Sequence, residues 1–225
     1  MYDCYIMNVQ NILFSLPGII IGLTVHEFCH AMAAYKLGDS TAKSQGRITI
    51  NPLRHIDPIG FLFIIFAGFG WARPVQFNPY NLRHLRRDKA IIAAAGPLSN
   101  FALALIFIGI VRLWLMLAQS PTIAPAALDI VRSGVSLRII QTFIRAAVIN
   151  FGLFVFNLFP IPPLDGSHIA FSGLNISMEI QQRIMKIAMP LLFIIIIIQN
   201  QTNITILPIR PIVFALLHFF LPQLS

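Results

Sequence analysis

The property that most restricts this chain is a series of apolar stretches long enough to cross a lipid bilayer, the first running from Ile12 to about Lys36. The hydrocarbon layer is about 30 Å thick and a helix rises about 1.5 Å per residue, so one crossing takes roughly 20 apolar residues. Ala90 to Ala118 and Phe143 to Phe159 form two further stretches, the second stopped by the prolines of "PIPPLDG". Ile187 to Gln199 and Ile204 to Leu221 are also apolar, though Pro190, Pro208 and Pro211 interrupt them. Lipid offers no partner to a peptide N–H or C=O, so each crossing must be a helix that satisfies its own backbone. The expected fold is an all-α polytopic membrane protein with about five transmembrane helices, forming one membrane-embedded domain over residues 1–225. Its core would be residues 12–173, followed by C-terminal helices at 187–221. The first stretch exceeds the apolar length of a signal peptide and is expected to remain as a span.

Between the first two spans the pattern changes. "GRITINP" (Gly46 to Pro52) and "WARPVQFNP" (Trp71 to Pro79) read as short strands, each closed by an Asn-Pro turn, and together predict a small β-hairpin or sheet near the cytoplasmic face. Ile59 to Gly70 is apolar but only about 12 residues long, too short to cross, and reads as a re-entrant segment. Asp57 and Pro58 before it have the grammar of a helix start, which makes capping the expected role of the His55/Asp57 pair.

Nine of the 16 Lys and Arg residues lie between Lys36 and Lys89. Basic residues in short loops mark the cytoplasmic side, so this segment is assigned there. Counting crossings from it places "HEFCH" near the cytoplasmic end of the first span and returns "PPLDG" to a similar depth. The net charge of +8 does not indicate a nucleic-acid partner, because base readers gather their cations on a soluble face and these sit between apolar spans. Cys4 and Cys29 form no disulfide framework, one lying near a terminus and the other mid-helix.

"LTVHEFCHAMA", Leu23 to Ala33, carries His26, Glu27 and His30 inside the first span. An ionisable group at the centre of a membrane helix costs about 2.5–3.5 kcal/mol on insertion scales, and such groups mark function. His26 and His30 stack on one helix face about 6 Å apart along the axis, where both can reach one ion. Catalytic zinc takes three protein ligands and keeps a fourth position for water. Glu27, about 100° around the helix from His26, is better placed to touch that water, the HExxH arrangement with a general base. For the third ligand Asp165 is favoured, since it follows a proline-terminated span and Gly166 beside it lets the backbone open; it could instead simply cap the next helix. His168, three residues on, is the competing ligand or an outer hydrogen-bonding partner. Asn100 is expected to bridge helices through its amide.

"HEFCH", "GPLSN" and "NLFPIPPLDG", with "NPLRHIDPIG" and "GWARPVQFNP" between them, resemble the site-2 protease family of intramembrane zinc metalloproteases, particularly its compact members without a PDZ or CBS domain. The resemblance covers about Ile12 to Gly173. It implies one zinc per chain bound by His26, His30 and Asp165, with Glu27 activating water for peptide hydrolysis. It implies that Asn157, Pro160 and Pro162 shape the substrate side, that the substrate is a membrane protein cut in or near a transmembrane segment, and that the setting is the cell membrane of a prokaryote. Because a membrane helix hides its own peptide bonds, the substrate must unwind. A strand edge lined by Ile48, Ile50, Val75 and Phe77 could receive it by β-augmentation. The rival readings are a membrane metal transporter, which needs acids or histidines along a route to both faces, and a non-catalytic metal-binding membrane protein, which an intact HEFCH and LDG disfavour.

Overall fold

The computed structural model describes residues 9–67, 70–119, 129, 133–174, 176–202 and 204–222. Its helices are α1 (Val9–Lys36), α2 (Thr41–Ser44), α3 (Pro58–Ala67), α4 (Leu85–Gln119), α5 (Gly134–Leu158), α6 (Asp165–Gly173), α7 (Met178–Gln201) and α8 (Ile209–Phe220), with 3-10 turns at Pro52–Arg54 and Pro79–Asn81. Cys4 and residues 68–69 of the predicted re-entrant segment lie outside the described residues.

Among the described residues four helical stretches are long and apolar enough to cross a membrane: Ile12–Lys36, Leu85–Gln119, Gly134–Leu158 and Met178–Gln199. The expected count of five is corrected, because the last apolar stretch is helical only over Ile209–Phe220. Prolines bound it on both sides: a residue before proline is pushed out of the α region, so neither Leu207 before Pro208 nor Leu221 before Pro222 continues a helix. The polar residues from Met178, by contrast, join the apolar stretch after them in one helix that runs through Pro190.

α1, α4 and α5 pack against one another, with α6 against α4 and α8 against α5. Phe107, Ile108 and Val111 of α4 meet Ala146, Phe151 and Val155 of α5, and Val213 of α8 joins the same buried cluster. Small residues set the helix spacing. A Cβ on Gly18 would lie 2.7 Å from the Cα of Ala146, and one on Gly22 would lie 2.8 Å from Asn150 Oδ1. Lipid does not drive apolar helices together, so this close approach is what lets α1 gain dispersion contacts and interhelical hydrogen bonds with α5.

The predicted hairpin or sheet is also corrected. Among the described residues the pairing is a single antiparallel bridge between Ile56 and Ala72, with the Arg73 N–H donating to the His55 carbonyl at 2.7 Å. That bridge holds the two flanks of α3 together. Asp57 Oδ1 accepts from the Gly60 N–H at 2.8 Å, the expected cap. No ladder grows from the bridge because side chains take the backbone groups a ladder would use. The Arg47 guanidinium donates to the carbonyls of Arg54 and Arg73. The N–H of Val75 goes to Glu27, and that of Asn78 goes to Asp39. Both Asn-Pro pairs do make turns: Asn51 Oδ1 accepts from the Leu53 N–H and Asn78 Oδ1 from the Tyr80 N–H, each at 3.1 Å.

Asp39 ties this loop system to the end of α1. Its buried carboxylate accepts from Thr41 Oγ1 at 2.6 Å, the Asn78 N–H at 2.7 Å and Asn81 Nδ2 at 2.8 Å. Burial alone would raise its pKa, but the bonds from Thr41, Asn81 and Asn78 outweigh that and hold the carboxyl below the usual carboxylate range.

The helix spacing is tested by Gly18→Val, which forces α1 off Ala146 and is expected to destabilise the protein by about 1–3 kcal/mol, read as a lower unfolding midpoint in detergent. Gly109, around which a Cβ meets nothing within 4 Å, is the control: Gly109→Ala should leave the midpoint unchanged or raise it.

Candidate metal centre

His26 and His30 lie one turn apart on α1, their rings edge to face with centroids 4.6 Å apart. The chain breaks after Leu158 and restarts at Asp165, the first residue of α6, whose N-cap Leu164 is extended. This aims the Asp165 carboxylate back at α1: Oδ2 is 3.2 Å from His26 Nε2 and 3.3 Å from His30 Nε2, and the two Nε2 atoms are 3.0 Å apart. Among the described residues these three form the one group of His, Cys or acidic side chains able to hold a metal ion.

The protonation of the two rings follows from what their other nitrogens face. His30 Nδ1 lies 2.7 Å from the Ile92 carbonyl, which can only accept, so Nδ1 carries a hydrogen and Nε2 is the nitrogen turned to Asp165. His26 Nδ1 lies 2.7 Å from Asn100 Oδ1. The Asn100 amide cannot be turned round, because its Nδ2 donates to the Gly22 carbonyl at 3.1 Å and to Asn150 Oδ1 at 2.9 Å. Asn150 is fixed in turn by donating to the Ala146 carbonyl at 2.8 Å and the Gly18 carbonyl at 3.4 Å. Two backbone carbonyls thus orient Asn150, Asn150 orients Asn100, and Asn100 assigns the tautomer of His26.

Both Nε2 atoms therefore face each other and Asp165 Oδ2, which makes no hydrogen bond of acceptable geometry despite its short distances to them. With both imidazoles neutral these are three acceptors, and a proton or a metal ion among them relieves their repulsion. Tetrahedral zinc with bonds of about 2.0–2.1 Å sets neighbouring ligand atoms about 3.3–3.4 Å apart, close to the separations here. The donor set of two imidazoles and one carboxylate fits zinc.

Backbone, not side chains, walls the centre on two sides. A Cβ on Gly96 of α4 would lie 2.3 Å from His30 Nε2 and 2.7 Å from His26 Nε2. A Cβ on Gly166 would strike the Leu158 carbonyl oxygen at 2.2 Å, so α6 can fold under the end of α5 only with glycine there. Pro97, next to Gly96, removes the N–H that would bond the Ala93 carbonyl and loosens the helical ladder beside Ile92.

Glu27 is not one of the three converging side chains and is buried. Its Oε2 accepts from the Val75 N–H at 3.0 Å, so the extended segment after Trp71 passes over it. Arg47, also buried, holds the loops on either side of α3 through the Arg54 and Arg73 carbonyls and contributes positive charge near Glu27.

His168 stays outside the three-residue group, and its buried Nδ1 has no hydrogen-bond partner. Burial, and after it the Lys89 ammonium, push its imidazole below the ordinary value. Asn157 is partly buried and donates to the carbonyl of Leu153 in its own helix at 2.9 Å. Pro160 is exposed and Pro162 buried in the break between α5 and α6. His55 bonds the Thr49 carbonyl at 2.7 Å rather than capping α3, which Asp57 does alone. Asn100 does bridge helices, and it also bonds His26. Sequence reasoning passed over Asn150, Gly96 and Arg47. For Asn150 the available signal was an amide in an otherwise apolar span; for Arg47 it was an arginine beside an apolar re-entrant segment.

The chain matches the family model described as Peptidase family M50 over residues 14–199. Two curated proteins bearing the name "Putative zinc metalloprotease" are similar to it. YwhC of Bacillus subtilis is 44% identical over 151 residues, covering 67% of this chain and 64% of that protein. Rip2 of Mycolicibacterium smegmatis is 28% identical over 156 residues, covering 67% of this chain and 53% of that protein. The chain therefore spans less than two thirds of the length of either. No solved structure matches it at a significant level.

The hydrogen-bond relay predicts that Asn150→Leu weakens zinc binding by about 10- to 100-fold, measured by competition with a coloured chelator, through loss of the His26 tautomer. Unchanged affinity would show that Asn100 holds its orientation without Asn150. Gly96→Ala should purify with little bound zinc by elemental analysis, while Gly109→Ala on the same helix retains it.

Proposed function

The chain belongs to peptidase family M50, the site-2 protease family, and on that footing we propose that it is an intramembrane zinc endopeptidase which hydrolyses peptide bonds in or near transmembrane segments of other proteins. His26, His30 and Asp165 hold one zinc per chain, and Glu27 is the general base. The observation that carries this reading is the convergence of two imidazole nitrogens and a carboxylate oxygen within 3.0–3.3 Å, with Glu27 buried on the helix that carries both histidines.

A zinc ion bound there supplies Lewis acidity toward a substrate carbonyl and a water molecule. Glu27 takes the proton from that water and passes it to the leaving amine nitrogen. The Val75 N–H holds one carboxylate oxygen and so fixes the plane of the base. Gly96 keeps the side of the site under α4 open to the imidazoles. Asn157, Pro160 and Pro162, at the end of α5 and in the break after it, shape the substrate side.

The site opens toward the cytoplasm. His26 is ten residues from Lys36, about 15 Å by helix rise, and Lys36, Lys43, Arg83, Arg86 and Arg87 cluster at that end of α1 and α4, where basic residues remain cytoplasmic. The relatives named above are bacterial, which supports placement in a prokaryotic cell membrane and a role in regulated intramembrane proteolysis. A metal transporter needs ligands in steps toward both faces, whereas among the described residues the candidate ligands form one group.

In liposomes with a substrate carrying a transmembrane segment, Glu27→Gln should keep one zinc per chain and lose cleavage by at least about 10²- to 10⁴-fold. Chelation should abolish cleavage by the unmodified protein, and added zinc should restore it. Cleavage that persists in Glu27→Gln, or in metal-free protein, overturns the assignment.

A further inference from the structure

Away from the metal centre, a second polar feature lies at the basic end of the molecule. A cleft of about 180 Å³ is bounded by Arg86 and Lys89 of α4, Phe171 and Ser172 near the end of α6, and Ser177 and Gln181 at the start of α7. Lys89 is 9% exposed, and its ammonium meets only neutral acceptors, Gln181 Oε1 at 3.3 Å and Met178 Sδ at 3.7 Å. The Gln181 amide cannot compensate further, because its Nε2 is committed to the Ile176 carbonyl at 2.7 Å. Among the described residues no carboxylate pairs with Lys89: Asp88 is taken by the His84 N–H and Arg87, and Glu179 by Arg183. A buried cation without a counter-charge is costly, and a cleft at its head is where an anion would offset that cost.

The surroundings identify the anion. The first turns of α4 and α7 border the cleft, adding the positive ends of two helix dipoles to two side-chain cations. Ser177 places a hydroxyl in the wall whose oxygen accepts from the Ile180 N–H, leaving its O–H to donate, while the Ser172 O–H is committed to the His168 carbonyl. Leu85, Leu174 and Ile180 nearby are exposed apolar residues, as a surface touching acyl chains requires. We infer that the cleft between the start of α4 and the α6–α7 junction binds a phosphate-bearing anion, supplied by the headgroup of an anionic phospholipid, with Lys89 as the buried counter-charge and Arg86 at the rim. Basic pockets between helices on the cytoplasmic side of membrane proteins recognise such headgroups. The site rests on membrane embedding and not on the peptidase reading. An occupant would brace α4, which carries the Ile92 carbonyl bonded to His30, against α6, which carries Asp165.

The test is native mass spectrometry of the full chain in a neutral detergent, titrated with short-chain phosphatidylglycerol, with phosphatidylcholine of equal chain length and with inorganic phosphate. One phosphatidylglycerol should bind more tightly than phosphatidylcholine, and Lys89→Met should weaken it by about 10- to 100-fold, the loss expected for a charge-assisted contact. Arg86→Gln, at an exposed position where misfolding is not a concern, should weaken it less, and Arg183→Gln not at all. Inorganic phosphate should compete, weakly. Phosphate alone binding as tightly as phosphatidylglycerol would overturn the lipid source. Equal binding of phosphatidylglycerol and phosphatidylcholine, or undiminished binding in both Lys89→Met and Arg86→Gln, overturns the site.

Discussion

The structure depends on one requirement of the lipid interior: a polar group placed there must find its partner within the protein. Asn100 and Asn150 are fully buried, and each would be a liability alone. Together they form a relay that starts at the carbonyls of Gly18 and Ala146 and ends on His26. The same bonds join α1, α4 and α5, so an interaction that ties the three helices together also decides that His26 Nδ1 carries a hydrogen and that Nε2 is the nitrogen turned to Asp165. Each such bond is worth only about 0.6–2 kcal/mol in a membrane, yet its directional consequence for the metal centre does not depend on that magnitude.

The relay requires backbones to come close, and that follows from side chains that are absent. Gly22 has room for the Asn150 amide and lends its carbonyl to Asn100. Gly96 lets α4 approach the two imidazoles, and Gly166 lets α6 turn under the last residues of α5. A bulkier residue at Gly166 would strike backbone and displace a helix, whereas at Gly22 and Gly96 it would collide with the Asn150 amide and with the two imidazoles. The candidate metal site is consequently a property of helix spacing as much as of His26, His30 and Asp165 themselves. This is why its donors, 135 or more positions apart in sequence (His30 to Asp165), can meet within hydrogen-bonding distance.

How far the sequence carried the argument depended on whether a residue acts through its local neighbours or through distant ones. His26, Glu27 and His30 were legible because helical periodicity alone puts them together. The turns at Asn51 and Asn78 and the cap at Asp57 were legible for the same reason. Asp165 was approached through the chemistry of the break before it, and its convergence on α1 appears only in the fold. The sheet failed as an expectation because alternation in "GRITINP" and "WARPVQFNP" describes strand-like residues but not their partners. The bonds those segments would have exchanged go to Arg47, Asp39 and Glu27 instead. The fifth span failed because composition was apolar throughout while Pro208 and Pro222 limited the helix to Ile209–Phe220. Asn150 was invisible to motif reasoning, since nothing local distinguishes a relay amide from an isolated one.

The molecule thus uses different forces on its two sides. Toward the apolar interior, neutral amides and backbone carbonyls hold the imidazoles, because a charge there would be expensive to bury. Toward the basic end, the loops are held by ionised groups: Asp39 gathers four hydrogen bonds around its carboxylate, and Arg47 gathers two carbonyls from opposite flanks of α3. Glu27 stands where the two regimes meet. Its helix is fixed from the apolar side through His26 and His30, and its carboxylate is fixed from the loop side through Val75. With its helix held through His26 and His30 and its carboxylate held by the Val75 N–H, Glu27 is constrained from both sides by contacts that need no substrate.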